Sequence, residues 1–87
     1  MEVEFDLTKA KSNQKKHGVS FEEAMTALLD ERATWVEDPD SRSERRWVLR
    51  GLSQKGRLLT VVITLRGDRF RMISARKATK KEAQNYA

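Results

Sequence analysis

The sequence predicts an α+β domain in which two N-terminal helices and a short C-terminal helix accompany a central antiparallel sheet of about four strands. Helix-capping residues lie in the first third of the chain and again near its C-terminus, and the segment between them alternates apolar and polar residues as strands do. The 87 residues contain neither an internal repeat nor a linker-like stretch. We therefore expect a single domain over residues 1–87.

The N-terminal segment predicts a short strand followed by a polar helix. Val3 and Phe5 alternate with acidic residues, which is typical of a strand. Thr8 is the expected N-cap of a helix that runs to about Lys16, and Gly18 is expected to end that helix.

Two capping boxes predict where the second and third helices begin. Ser20 and Glu23 form the first box, which opens a helix that is expected to end near residues 30–32. Its apolar stripe faces a core and consists of Phe21, Met25, Leu28 and Leu29. Thr79 and Glu82 form the second box, which opens a short terminal helix that is expected to contain Tyr86.

The middle of the chain predicts strands joined by tight turns. We expect strands at residues 33–36, 45–52 and 57–66, with a turn at Asp38-Pro39-Asp40 between the first two. The loop near residues 53–56 fixes the register of the next hairpin. An odd loop places Trp47 and Leu49 in the core and an even loop reverses them, and we expect the odd loop.

Gly67-Asp68 predicts a two-residue hairpin turn with glycine first. This turn sets the register of the last hairpin, with Arg66 opposite Arg69, Leu65 opposite Phe70, Ile63 opposite Met72 and Val61 opposite Ser74. The face away from the core is then expected to carry Thr60, Val62, Thr64, Arg71, Ile73 and Ala75.

Composition excludes several classes of protein. Without cysteine the chain has no disulfide framework, no thiolate nucleophile and no thiolate metal site, which fits a reducing cytoplasm. No run approaches the roughly eighteen apolar residues of a membrane span, and the acidic start does not resemble a secretion signal. We expect a cytoplasmic protein that does not bind membranes.

Charge is distributed unevenly along the chain. Residues 1–43 hold six Lys or Arg and ten Asp or Glu, a net charge of −4, whereas the remainder holds twelve and three, a net charge of +9. A polyanion is the natural partner of such a segment, although a solvated basic surface without a ligand gives the same composition.

Arginines are the candidates for phosphate chemistry. Cleavage of RNA without a metal needs a base for the 2′-hydroxyl, a proton donor for the leaving oxygen and positive charge around the phosphate. Arginine supplies that charge through its planar fork, and four arginines fall within eleven residues: Arg66, Arg69, Arg71 and Arg76. Each can also be a solvated strand residue, but Arg71 lies between apolar neighbours and needs a ligand or a partner.

Other candidates are less distinctive. His17 can serve as a general base, or it can interact with the dipole at the end of the first helix. Lys9 and Lys16 can contact phosphates or remain solvated, and Tyr86 can donate a proton, stack on a base or only pack. A lone histidine without clustered ligands and the lack of a glycine-rich phosphate loop predict no metal and no cofactor.

Two segments, KHGVSFEEA at residues 16–24 and RGDRFRMISARKAT at residues 66–79, resemble the BrnT toxins, and the similarity extends over nearly the whole chain. The resemblance implies a RelE-like fold and a bacterial ribonuclease toxin that arrests translation. It also implies neutralisation by a BrnA-like antitoxin, with operator DNA contacted only through the complex. It allows a homodimer within a heterotetramer.

The resemblance also implies a basic cleft that involves Lys9, His17, Arg71, Arg76 and Tyr86. We assign Arg71 to stabilising the charge of the transition state and Arg76 to holding a flanking phosphate. The other basic residues that we expect to contact the substrate are Lys9, Lys16, Arg66, Arg69 and Lys77. Strict alternation puts Arg76 on the face opposite Arg71, so the strand must end or bulge near Ser74.

One position departs from the family. BrnT toxins often have a glutamate just before the Arg-Gly-Asp-Arg turn, where this chain has Leu65. A candidate general base is thereby removed, which leaves two alternatives to a fully active ribonuclease. One is a non-catalytic RNA- or DNA-binding module, and the other is a subunit that only binds an acidic protein partner.

Overall fold

The computed structural model describes residues 2–39 and 44–86. In these residues it contains three helices and five strands, in the order β1 (Val3–Glu4), α1 (Leu7–His17), α2 (Phe21–Ala27), β2 (Thr34–Glu37), β3 (Arg46–Leu52), β4 (Leu58–Arg66), β5 (Arg69–Lys77) and α3 (Lys80–Gln84). The predicted α+β fold is confirmed. None of the described helices is long and apolar enough to cross a membrane. The predicted turn at Asp38-Pro39-Asp40 extends outside the described residues.

The sheet is mixed, with the strand order β1-β5-β4-β3-β2. Strands β2 to β5 form the expected antiparallel meander, but β1 adds a fifth strand parallel to β5. The expectation of about four antiparallel strands was therefore low by one. The chain passes through both helices and three strands between β1 and β5, so no tight turn forces this pair to be antiparallel.

The register of the last hairpin changes at a β-bulge. Gly67 adopts a positive φ of 60° in the turn, and the predicted pairs of Leu65 with Phe70 and Ile63 with Met72 are confirmed. Val62 then pairs with Ser74, which leaves Ile73 as an extra residue. Val61 consequently faces Ala75 rather than Ser74, and Ala75 lies in the core instead of on the opposite face as predicted.

Helices α1 and α2 cover one face of the sheet, where the core is formed by Val19, Phe21, Ala24, Ala27, Leu28, Leu49, Leu59, Val61, Ile63, Met72 and Ala75. The odd loop is confirmed, because Leu52 pairs with Leu58 and leaves five residues between them, so that Leu49 is buried. Trp47 is half-buried against this core. Gly51 lets α2 approach closely, since a Cβ there would lie 2.4 Å from the carbonyl oxygen of Ala27.

Helix boundaries differ from the prediction at three places. Asp6, not Thr8, caps α1, because its carboxylate accepts hydrogen bonds from two backbone N–H groups of the first turn. Helix α2 ends at Ala27, so Leu29 is 78% exposed instead of facing the core. Helix α3 ends at Gln84, and Tyr86 lies beyond it.

Asn13 attaches α1 to the edge of β5 beyond the short β1 strand. Its side-chain amide donates to the carbonyls of Ala75 (2.8 Å) and Val19 (3.0 Å), and its oxygen accepts the N–H of Ala75 (3.1 Å). The buried amide thus takes the place of a neighbouring strand next to the bulge. Nothing in the sequence around Asn13 indicates this role.

Candidate functional site

The face of the sheet opposite α1 and α2, here called the open face, carries a set of arginines. Pairing partners on adjacent strands point the same way, so the register places on this face Arg46, Arg50, Arg66, Arg69, Arg71 and Arg76. The bulge at Ile73 is the reason that Arg71 and Arg76 share it, because strict alternation would separate residues five positions apart. The predicted bulge near Ser74 is confirmed.

Every one of these arginines faces a carboxylate of the same chain. Glu4 lies 3.4 Å from Arg71 and 3.7 Å from Arg69. Glu44 contacts the guanidinium groups of Arg46 and Arg66 at 3.8 and 3.4 Å. The partner that Arg71 was expected to need is therefore Glu4. Only Nη2 of the half-exposed guanidinium donates to this carboxylate, and the buried Nε has no hydrogen-bond partner in the described part of the chain.

Glu82 makes the most extensive of these contacts. Its carboxylate accepts two hydrogen bonds from Arg76 (2.7 and 2.9 Å), one from Arg50 (3.1 Å) and one from the Thr60 hydroxyl (3.2 Å). These three residues are register partners on β3, β4 and β5. The hydrogen bonds from Arg76 lower the pKa of Glu82 far below its usual value and raise the pKa of Arg76.

A cleft of about 270 Å³ lies between α1 and β5, beside the bulge. Residues at positions 9, 12, 13, 16 and 17 of α1 share one helix face, which brings Lys9, Lys16 and His17 to the same cleft wall. Ile73 and Ser74 of β5 form the other wall. Ser74 pairs with Val62 and so also belongs to the open face, between the cross-strand row that contains Arg71 and the row that contains Arg76. Neither arginine lines the cleft itself.

The N-terminus of α1 is also close to Arg71. Hydrogen bonds from the backbone of Lys9 and Thr8 lower the pKa of Asp6, and the nearby charges of Lys9 and Arg71 act in the same direction. The structure places three of the predicted residues on this cleft, namely Lys9, Lys16 and His17, and two on the open face of the strand that forms its other wall, namely Arg71 and Arg76. We call this region the α1–β5 site.

The other predicted residues lie elsewhere. Tyr86 donates a hydrogen bond to Asp30, which also accepts the N–H of Leu52 at the end of β3, about 20 Å along the sheet from the row of Arg71. This bond raises the pKa of Tyr86. Lys77 pairs with Leu59 and so falls on the helix-covered face. Arg66 and Arg69 flank the hairpin turn at the tip of the sheet.

Position 65 also belongs to the helix-covered face, where Leu65 pairs with Phe70. A glutamate at this position would therefore lie on the side of the sheet away from Arg71. The departure at Leu65 therefore leaves the open face around Arg71 unchanged.

A second carboxylate cluster was missed by the sequence prediction. The predicted capping box is only half formed. The Ser20 hydroxyl accepts the N–H of Glu23 at 3.0 Å, but the Glu23 side chain does not bind the backbone of Ser20 in return. The Glu23 side chain, 2% exposed, instead binds Arg57 through both oxygens and accepts the Ser53 hydroxyl at 2.7 Å. The hydrogen bond from Arg57 holds the pKa of Glu23 at about 2.

Within the described residues no group of three His, Asp or Glu side chains is placed to hold a metal ion.

Comparison with known proteins identifies the family. A family model described as the ribonuclease toxin, BrnT, of type II toxin-antitoxin system matches residues 5–82. The fold is similar to the 1.1 Å crystal structure of the Brucella abortus ribonuclease toxin BrnT, with a TM-score of 0.70, 22% identity, and coverage of 92% of this chain and 99% of that one. No curated protein sequence gives a significant match. On the strength of the family match over most of its length, the chain belongs to the BrnT family of ribonuclease toxins.

Proposed function

We propose that this protein is a bacterial endoribonuclease that cleaves RNA at the α1–β5 site without a metal ion and thereby inhibits translation. One observation carries the proposal: the bulge at Ile73 puts Arg71 and Arg76 on one face of β5, and the same strand forms a wall of the cleft that the lysines and the histidine of α1 line. Phosphate-binding cations and a proton acceptor are two of the three elements that this reaction requires.

The reaction is an internal transesterification. The 2′-oxygen attacks the adjacent phosphorus, the bond from phosphorus to the 5′-oxygen breaks, and a 2′,3′-cyclic phosphate forms. The 2′-hydroxyl proton passes to a base, for which we assign His17, and the 5′-oxygen takes up a proton as it leaves. Arg71 stabilises the charge on the phosphate oxygens, while Arg76, Lys9 and Lys16 hold flanking phosphates.

Arg71→Ala tests this assignment, with Arg45→Ala as the matched control. Arg45 pairs with Glu37 and stacks its guanidinium 4.8 Å from the Trp47 ring, outside the α1–β5 site. A labelled RNA is incubated with each purified protein in EDTA at neutral pH. We expect fragments ending in cyclic phosphate from the unmodified protein and from Arg45→Ala, and a loss of at least about a hundredfold in rate for Arg71→Ala. Unchanged cleavage by Arg71→Ala contradicts its role.

A non-catalytic nucleic-acid-binding module is the second candidate, because arginines gathered on one face of the sheet can bind a phosphate backbone without a catalytic base. Such a module binds RNA or DNA in a salt-dependent way and leaves the strand intact. Intact RNA in EDTA, together with binding that weakens as salt rises, distinguishes this candidate from the ribonuclease.

We further propose that the protein acts in the cytoplasm and that a BrnA-like antitoxin covers the open face. Operator DNA would be contacted only through that complex, in which two toxin copies form a homodimer within a heterotetramer. Co-expression with the product of the adjacent gene tests this arrangement: a co-purifying partner that abolishes cleavage supports it, and a partner that leaves cleavage unchanged contradicts it.

A further inference from the structure

The contacts of Glu82 have the geometry of a bound anion. Two oxygens of one carboxylate receive four hydrogen bonds from Arg50, Thr60 and Arg76, and the fork of Arg76 is bidentate. A phosphate oxygen pair is recognised by arginine through the same bidentate arrangement. Arg50 also lines a cavity of about 190 Å³ on the open face, so this cluster adjoins solvent-accessible space.

The element that carries Glu82 is held mainly by polar contacts. Helix α3 has only five residues, none of them buried. Among the described residues, the side-chain hydrogen bonds that attach it to the rest of the fold are those of the Glu82 carboxylate at the sheet and, just beyond the helix, the one from Tyr86 to Asp30. Glu82 Oε1 also accepts the N–H of Thr79 at 2.9 Å, so the carboxylate keeps a capping partner when the arginines turn away.

We propose that Arg50, Thr60 and Arg76 form a binding site for a phosphodiester of the RNA backbone, which Glu82 occupies in the free protein and which the RNA phosphate takes over on binding. Glu82 is then an intramolecular competitor of the substrate. Arg50 is the new member of the RNA-binding surface. The proposal deepens the ribonuclease function proposed above, because it assigns a second phosphate contact on the same face.

RNA fits this site better than an acidic protein segment because a second arginine lies in line with it. Thr60 pairs with Arg76 and Thr64 pairs with Arg71. The two threonines are four residues apart on β4, so the two arginine rows are separated by about 13 Å along the strand. A backbone with phosphates at regular intervals satisfies both rows at once. Between these two rows Val48 pairs with Val62, and both valines are half-buried. They leave a neutral surface for ribose and base.

The test measures binding of a 2′-O-methyl RNA oligonucleotide, which lacks the 2′-hydroxyl nucleophile and so separates binding from cleavage. Glu82→Gln removes the charge while glutamine still completes a capping box. Glu22→Gln is the matched control, since Glu22 is exposed in the first turn of α2 on the other side of the sheet. Thermal unfolding of each variant shows that it is folded.

We expect Glu82→Gln to bind this RNA about three- to tenfold more tightly than Glu22→Gln. Its plot of log K against log salt should also be steeper by about 0.7, because no carboxylate is released in exchange for the phosphate. Adding Arg50→Gln to Glu82→Gln should remove most of the gain, and Arg50→Gln alone should weaken binding several-fold. Equal affinity of Glu82→Gln and Glu22→Gln overturns the proposal, as does a gain that survives the loss of Arg50.

Two further results distinguish this proposal from an acidic-protein site and from the ribonuclease function itself. If Glu82→Gln binds polyglutamate more tightly while its RNA affinity is unchanged, the site belongs to an acidic protein and the assignment to RNA is wrong. If the protein binds as expected but leaves ordinary RNA intact, the ribonuclease function fails and the phosphate site stands.

Discussion

Two glutamate–arginine clusters on opposite sides of the sheet have the same chemistry and different surroundings. Glu23 and Arg57 meet where α2 packs on the β3–β4 loop, and the Glu23 side chain is 2% exposed. Glu82 meets Arg50 and Arg76 on the open face, where the Glu82 side chain is 16% exposed and that of Arg76 is 40% exposed. In both clusters the arginine lowers the pKa of the glutamate.

The difference lies in what else each cluster holds together. Arg57 also donates to the carbonyl of Gly18 at 3.2 Å, and Ser53 turns its hydroxyl to Glu23, so the first cluster joins the α1–α2 connection, α2 and the β3–β4 loop. The second cluster joins the sheet to a five-residue helix without buried residues. The same kind of ion pair therefore stabilises the fold at the first cluster. At the second cluster it leaves Glu82 free to exchange with another anion.

Glu23→Gln should have the largest effect on stability. The substitution removes the charge of the buried Glu23 and leaves Arg57, whose side chain is 29% exposed, without its ion-pair partner. We expect the free energy of unfolding to fall by about 2 kcal/mol. Urea denaturation followed by tryptophan fluorescence measures this loss. A loss no larger than that of Glu22→Gln contradicts the structural role of the cluster.

Acid should reveal the same cluster in the unmodified protein. The pKa of Glu23 is about 2 in the fold against its usual 4.5, so its contribution is fully present above pH 4.5 and is lost as the pH falls toward 2. The free energy of unfolding of the unmodified protein should therefore decline more steeply across this range than that of Glu23→Gln. Parallel declines would show that Glu23 is not responsible.

Glu82→Gln should have the smallest effect on stability. The cluster is partly solvated and glutamine preserves the cap of α3, so we expect a loss of about 1 kcal/mol or less. The same urea titration compares it with Glu23→Gln. A loss as large as that of Glu23→Gln would make the two clusters equivalent and remove the contrast.

Much of the fold follows from local patterns in the sequence. The hairpin turn at Gly67 requires a positive φ, and alternation along β4 fixes which residues enter the core, so both were predictable. The family resemblance and the crowding of arginines made Arg71 and Arg76 the leading candidates for phosphate contacts, which stays a prediction. The need for a bulge could be inferred because the two arginines would otherwise lie on opposite faces.

Long-range partners were not predictable in the same way. Asn13 binds a backbone 62 residues away, Glu82 binds Arg50 across 32 residues, and Glu23 binds Arg57 across 34. No periodicity or cap signal marks such pairs, because each depends on how the strands are placed in space. Glu23 even had a plausible local role in a capping box, which its contact with Arg57 replaces.

The most direct test of the open face as the RNA-binding surface is an NMR spectrum of the arginine Nε–Hε groups with and without saturating 2′-O-methyl RNA. We predict that the signals of Arg50, Arg71 and Arg76 shift, because phosphates replace the carboxylates that face them. The signals of Arg45 and Arg57 should stay in place, because their partners Glu37 and Glu23 lie outside that surface. Shifts at Arg57 or Arg45 with unchanged signals for the other three would contradict the account.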